Sequence, residues 1–380
     1  MAAIYLDHNG TTPVDPAVLD AMLPHLGAEF GNPSSATPLG RRAREAVEQA
    51  RAEVAALIGA KPDEITFTSG GTEASNMAIR GAAALRPERT TIVTSTIEHP
   101  ATEACCALLS RDGMTIRRVA PDADGILDPA AVAAQIGRET ALVTLIHAQN
   151  EIGTLQPIAD VAPEARRLGV PVHADAAQSL GKVRVDVDEL GVDLLTIAGH
   201  KLYAPKGIGA LYNREGLRLP PLLVGAGQEH GRRPGTENVA FIVGLGVACR
   251  IAKARLATDA ARLRELSGHL ARRLCEAVPG IALVGDAERR LPNTVNLLFP
   301  GVTGNALLAV CPDVFASTGS ACHAGSDEPS AILLALGLPP ERALGAVRLS
   351  LGRGTTQDEI TRAAEALAGA WRRLARDQAA

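Results

Sequence analysis

An acid and an amine stand at what read as the ends of two neighbouring strands: Asp175 in VPVHADAAQS and Lys201 at the close of LLTIAGHK. Such a pair can grip opposite ends of one pyridine ring. The amine forms a Schiff base to an aldehyde and the carboxylate keeps the ring nitrogen protonated, so that the ring serves as an electron sink. The ring that fits is pyridoxal phosphate. Most of the 38 Lys and Arg residues are arginine, and a lysine preceded by Gly-His in such a chain points to a need for a deprotonatable amine, which a guanidinium cannot supply. Taken singly, either residue reads as a surface or cap group; together with their neighbours they read as chemistry.

A phosphate dianion calls for backbone amides at a positive helix end, and Ser69-Gly70-Gly71-Thr72 offers them between a strand and a helix expected to begin near Glu73. Thr72 is placed to cap that helix and to donate to a phosphate oxygen. His99 could lie flat on the ring and move protons at the substrate carbon, or serve as a hydrogen-bonded structural histidine. Gln178 and Asn150 could reach the ring hydroxyl and a substrate carboxylate. Arg348 is a candidate for bidentate capture of that carboxylate, with Arg353 as competitor. Cys322 lies in STGSACHAGSDEPS, whose small residues promise a loop rather than a core strand, so its thiolate could react. His323 beside it could lower the thiol pKa, and the alternative is an incidental exposed cysteine.

These residues need a frame. From about Glu64 short β-rich runs alternate with Ala/Leu-rich segments at helical spacing, which predicts a largely parallel sheet covered by helices. Strands are expected near Ile65 to Thr68, Thr91 to Ser95, Thr115 to Val119, Ala141 to Ile146, Val170 to Ala174, Leu194 to Ile197 and Ile208 to Tyr212. Ligands collect at the carboxyl ends of such strands, and the polar sets 69–72, 98–99, 149–151, 175–178 and 200–201 all fall there. A long helix after Val239 leads into α+β character, with strands near Thr294 to Leu298, Val314 to Ser317 and Val347 to Ser350 and a closing helix from Gln357 to about Arg376. The expected division is a large cofactor-binding domain over 13–255 and a small domain made of 1–12 and 256–380, which carries the Cys322 loop.

Composition narrows the alternatives. With 380 residues, 46% hydrophobic and 21% charged, the chain can bury more than one core. A net charge of −4 and 2% aromatics leave neither a basic footprint nor stacking platforms for nucleic acid. No basic n-region precedes an apolar stretch at the start, and no apolar run approaches membrane-span length, so a cytoplasmic location is expected. Six cysteines without a CxxC pair argue against a disulfide framework or structural zinc, so no metal is expected. Cys105, Cys106, Cys249 and Cys275 lie in helical patterns and read as small buried hydrophobes.

In order along the chain, YLDHNGTTPVDP, FGNPSSATPLGR, FTSGGTEASN, EHPA, NEIG, HADAAQS, GHKLYAPKGIGALY, RRPGTENVAFIVG, STGSACHAGSDEPS and RLSLGRGTT resemble the cysteine desulfurases, in the class V aminotransferase group of fold type I pyridoxal phosphate enzymes. Selenocysteine lyase is a similar sister family. The resemblance implies an α/β fold, with a large domain around a mostly parallel seven-stranded sheet and a smaller α+β domain. It implies that Lys201 forms the internal aldimine, Asp175 pairs with the ring nitrogen, His99 stacks on the ring and Gln178 bonds the phenolic oxygen. Gly71, Thr72 and His200 would hold the phosphate, and Thr236 would reach the phosphate of the opposite subunit, making a homodimer with shared sites. Asn32, Asn150 and Arg348 would surround the substrate carboxylate, and Cys322 would accept sulfur from L-cysteine for delivery to an acceptor protein, as in iron-sulfur cluster biogenesis. Three departures stand out: Ala198 lacks a phosphate-binding hydroxyl, His8 replaces a common Tyr, and the C-terminus lacks the tail with which housekeeping members dock a scaffold. The rival readings are a selenocysteine lyase, an aminotransferase or carbon-carbon lyase on the same cofactor, and a catalytically silent binding partner.

Overall fold

The computed structural model describes residues 3–319 and 328–377. Its strands are β1 (Ile4–Tyr5), β2 (Ile65–Thr68), β3 (Thr91–Ser95), β4 (Thr115–Val119), β5 (Thr140–Ile146), β6 (Val172–Asp175), β7 (Leu194–Ala198), β8 (Gly209–Asn213), β9 (Ala282–Leu283), β10 (Thr294–Leu298), β11 (Val314–Phe315) and β12 (Ala346–Ser350). Seven of them form one sheet in the order β2-β8-β7-β6-β5-β3-β4. All pairings in it are parallel except those of β8, which runs against both β2 and β7. The interior strand β5 is buried at every position, as a parallel strand covered on both faces must be. The edge strand β4 carries Arg117 and Arg118 toward solvent.

Period-two alternation sorts the sheet's side chains between two layers of helix. Val93, Val143 and Leu195 enter the core shared with helices α1 (Pro16–Leu26), α2 (Pro38–Ile58) and α5 (Ile158–Arg167), whereas Ile92, Leu142 and Leu194 face α3 (Gly71–Leu85) and α4 (Pro100–Arg111). Thr37 caps α2 by accepting from the Gly40 amide at 3.1 Å, Pro38 occupies its first position, and Gly59 ends it at φ 73°.

A 39-residue helix, α6 (Val239–Ala277), leaves the first core and enters a second. Its Ile242, Leu245 and Cys249 pack beneath the large sheet. Leu263, Leu266, Leu270 and Leu274, spaced by three and four, pack against β10, β12 and the closing helix α7 (Gln357–Asp377). The three-stranded sheet β12-β10-β9 supports this second core, and β1 pairs in parallel with β11 beside it.

Several expectations shift. β6 starts at Val172, not Val170, because Pro171 has no N–H to give the ladder and the Val172 amide instead meets Asp193. Helix α3 starts at Gly71, and Gly70 takes the cap position at φ 152°; Thr72 therefore lies inside the first turn and does not cap it. Cys105, Cys106, Cys249 and Cys311 are buried, but Cys275 is exposed on α6, contrary to its reading as a core residue. Cys322 and His323 lie outside the described residues. Among the described residues no helix is long and apolar enough to cross a membrane.

Candidate active site

The carboxyl ends of β5, β6 and β7 and the first turns of α3 and α4 enclose a cavity of about 180 Å³. Gly71, Thr72, His99, Asn150, Asp175, Gln178, Ala198, His200 and Lys201 line it, so residues scattered over 130 positions of sequence meet in one place. The larger opening, about 590 Å³ beside β2 and β8, gathers none of them. Its walls are largely self-satisfied, with Lys61 paired to Glu215 and Arg214 to Asp188.

Lys201 ends a tight turn, Gly199–Lys201, that follows β7. Thr12 clamps this turn from both directions: its amide donates to the His200 carbonyl at 3.0 Å, and its Oγ1 accepts from the Tyr203 amide at 2.9 Å. Tyr203 takes a left-handed φ of 65° just past the lysine, a conformation that costs a non-glycine residue free energy and persists only where its surroundings over-determine it. The Lys201 amine donates to the carbonyls of Asn9 and Gly10 at 2.5 and 2.6 Å. Burial, with a smaller push from Arg348, lowers its pKa to about 8 against the pull of Asp7 and Asp175. At pH 7 roughly a tenth of it is therefore the nucleophilic free base, far more than for an ordinary lysine.

Asp175 closes β6 and is buried. Its Oδ1 accepts the Ala177 amide at 3.0 Å. Burial raises its pKa, opposed by His99, the Ala177 hydrogen bond and Lys201, so a cationic N–H offered from the cavity would restore the charged carboxylate. His99 caps α4 through Nδ1, which accepts the Ala101 amide at 3.1 Å. That bond puts its proton on Nε2. Burial, helped by Lys201 and opposed by Asp175, lowers its pKa, so the ring is a neutral donor at Nε2 and takes up a proton at Nδ1 only by surrendering the cap. The structural role and the cavity-facing role thus coexist in this residue.

The opposite wall carries the phosphate-like geometry. A helix N-terminus leaves its first amides without partners inside the helix, and those of Gly71 and Thr72 are at the cavity. A Cβ built on Gly71 would sit 3.2 Å from Ala198 Cβ, so the close approach of α3 to β7 suits glycine. His200 Nδ1 meets Thr11 Oγ1 at 3.2 Å, and burial pushes its pKa to about 4, leaving a neutral imidazole. A buried carboxylate, an amine of depressed pKa across the same cavity and a helix N-terminus beside it form a donor set that fits pyridoxal phosphate.

Arg348, buried on β12, donates to the Asn150 carbonyl at 3.1 Å and pairs with Asp7 at 2.5 Å, while its Nε has no partner. It therefore reaches the rim of the cavity from the second core. Its competitor Arg353 is engaged elsewhere, on Asp259 at 3.1 Å and over the Tyr203 ring at 4.3 Å. Asn32 and Thr236 are exposed and do not line this cavity. Asn9 and Lys182 were not picked out from sequence. The Asn9 carbonyl accepts from Lys201 and Gln178, its Oδ1 from Lys182 and Asn293, and its Nδ2 reaches Asn150 and Thr294.

The family model for aminotransferase class-V matches residues 4–363. The chain belongs to the class-V aminotransferase family. Among its class-V relatives, a cysteine desulfurase of Trichormus azollae is 44% identical over 97% of this chain and 92% of its own length. The cysteine desulfurase NifS of Azotobacter vinelandii is 43% identical over 95% of this chain and 91% of its own. A solved structure described as a NifS-like protein superposes with a TM-score of 0.91 at 33% identity, covering 97% of this chain and 98% of that one. The mostly parallel seven-stranded sheet and its partner domain are those of the fold type I enzymes of this family.

Proposed function

We propose that the protein is a pyridoxal phosphate-dependent cysteine desulfurase, which converts L-cysteine to L-alanine and passes the sulfur to its own Cys322. The observation that carries this reading is the shared cavity of Lys201 and Asp175, with the amine's pKa lowered to about 8. The cofactor, when bound, supplies an electron sink for the substrate's α carbon. Lys201 would hold it covalently and would be the group that moves the α proton of the substrate. Asp175 would keep the ring nitrogen protonated, Gln178 would bond the phenolic oxygen, His99 would stack on the ring with a proton to give from Nε2, and Gly71, Thr72 and His200 would hold the phosphate. Arg348, Asn150 and Asn32 receive the substrate carboxylate. The Cys322 thiolate attacks the substrate sulfur; the carbon-sulfur bond breaks toward carbon, which takes a proton to become the methyl of alanine, and the enzyme keeps a persulfide.

Two protomers complete each site in this reading, with Thr236 of one reaching the phosphate held by the other. In support, Thr236 is exposed and absent from the cavity of its own chain, and Val224 and Phe30 stand 92% and 73% exposed. The division into 13–255 and 1–12 with 256–380 is likewise proposed, supported by the two cores that α6 joins. The enzyme would work in the cytoplasm and hand its sulfur to an acceptor protein. The names of the relatives favour cysteine over selenocysteine.

The test uses Cys322→Ala. Loaded wild type should release alanine from cysteine and gain the mass of one sulfur atom; the variant should keep its yellow cofactor band and lose both. Wild-type alanine release in the variant would remove Cys322 from the reaction.

A further inference from the structure

Lys182 is a buried lysine, 7% exposed, with no carboxylate partner among the described residues. It sits four residues past Gln178 in the turn that follows β6, where the Lys182 amide bonds back to the Ser179 carbonyl. Its Nζ donates to Gln178 Oε1 at 2.7 Å and to Asn9 Oδ1 at 3.2 Å. A neutral amine has two N–H groups, and these two acceptors use both. Burial, then Lys201 and Arg348, holds its pKa well below that of an ordinary lysine. The other titratable groups that feel it are His8 and His200.

The consequence falls on Gln178. A carboxamide can present either its oxygen or its NH2 to a ligand, and the partners decide which. Here the oxygen is taken by Lys182, while Nε2 gives one proton to the Asn9 carbonyl at 2.9 Å and keeps a second. We propose that Lys182 is a positioning residue that locks the Gln178 carboxamide with its NH2 toward the cavity, so that the cofactor's phenolic oxygen always meets a donor. This rests on the reading of Gln178 as the phenolic partner. Without Lys182 the amide oxygen is left buried and unpaired, and the Asn9 carbonyl alone holds the NH2, so the carboxamide is no longer fixed from both ends.

A donor on the phenolic oxygen withdraws charge from it and so makes the proton on the cofactor-bearing Lys201 Nζ easier to remove. Losing that donor raises the pH at which the absorbance of the loaded enzyme changes. The experiment titrates this band in the holoenzyme for Gln178→Leu, Lys182→Met, the double variant and Lys182→Gln, which keeps an amide donor. Gln178→Leu and Lys182→Met should each move the midpoint up by about one pH unit, the size of one hydrogen bond to a charged oxygen. The double variant should move no further than Gln178→Leu alone, and Lys182→Gln should move less than half as far as Lys182→Met. If Gln178→Leu shifts the midpoint and neither Lys182 variant does, or if Lys182→Met adds its full shift on top of Gln178→Leu, Lys182 does not act through Gln178 and the inference fails alone. If Gln178→Leu leaves the midpoint in place, the phenolic reading of Gln178 fails and takes the inference with it.

Discussion

At the scale of single residues, protonation states carry the chemistry. The Lys201 amine, held at about pKa 8 chiefly by burial, is mostly ammonium below that pH and mostly free base above it. Capture of added cofactor by the apoprotein should therefore speed up as pH rises through about 8 and level off beyond it, as followed by borohydride fixation at the Lys201 peptide. A rate still climbing to pH 10 would mean an ordinary lysine pKa. Sequence made Asp175 and Lys201 legible because polar residues that interrupt buried strand patterns have few structural uses. The scarcity of lysine that singled out Lys201 applied equally to Lys182, and following it there would have found the second amine. Asn9 gave no such signal, since its role rests on Gln178, Lys182, Lys201 and Asn293, all far away in sequence. Arg348 and Arg353 could not be separated by type or spacing. The structure does so, with Arg348 on the Asn150 carbonyl and Arg353 held by Asp259.

At the scale of elements, strand β8 matters more than its sequence suggests. Because it runs against β7, its first residue, Gly209, lies beside Ala198 and beneath Gly70 at the start of α3. A Cβ there would sit 2.5 Å from the Ile197 carbonyl oxygen and 2.7 Å from the Gly70 carbonyl carbon, both backbone atoms. Gly209→Ala should therefore push α3 away from β7, destabilise the fold by about 1–3 kcal/mol and weaken cofactor affinity at least tenfold. Denaturant melts of the apoprotein and a spectral titration with cofactor measure the two effects. The strands were readable to within two residues because their buried runs are strongly β-branched. The antiparallel sense of β8 was not, since direction depends on how a connection returns across the sheet. The start of α3 was misplaced for a local reason: glycine can hold a cap position without offering a side-chain acceptor.

At the scale of the whole molecule, two cores meet along α6, and Asp259 near its midpoint is the fastening. It is buried and binds Arg255 on its own helix and Arg353 in the loop after β12. Arg353 in turn lies over Tyr203, two positions past Lys201 at the end of the site turn, and its Nη1 approaches Asp15 at 3.6 Å. Asp259→Ala would leave the Arg353 guanidinium without its main counter-charge and should cost about 3 kcal/mol, read as a lowered denaturant midpoint. A cost near zero would show that Tyr203 and Asp15 suffice. The strands β10 and β12 and the closing helix were legible from the change to α+β character after Val239. The two-residue strands β1 and β11 were not, being too short to carry a periodic pattern of their own.

Helix α6 is about 58 Å long at 1.5 Å per residue and is anchored at both ends in separate cores. It is one continuous helix from Ile242 and Leu245 to Leu266 and Leu270, and the β12 that carries Arg348 packs against its second half. The strand neighbours of Arg348 thus share one hydrophobic cluster with Leu266 and Leu270, at the far end of the same helix that lies beneath the large sheet.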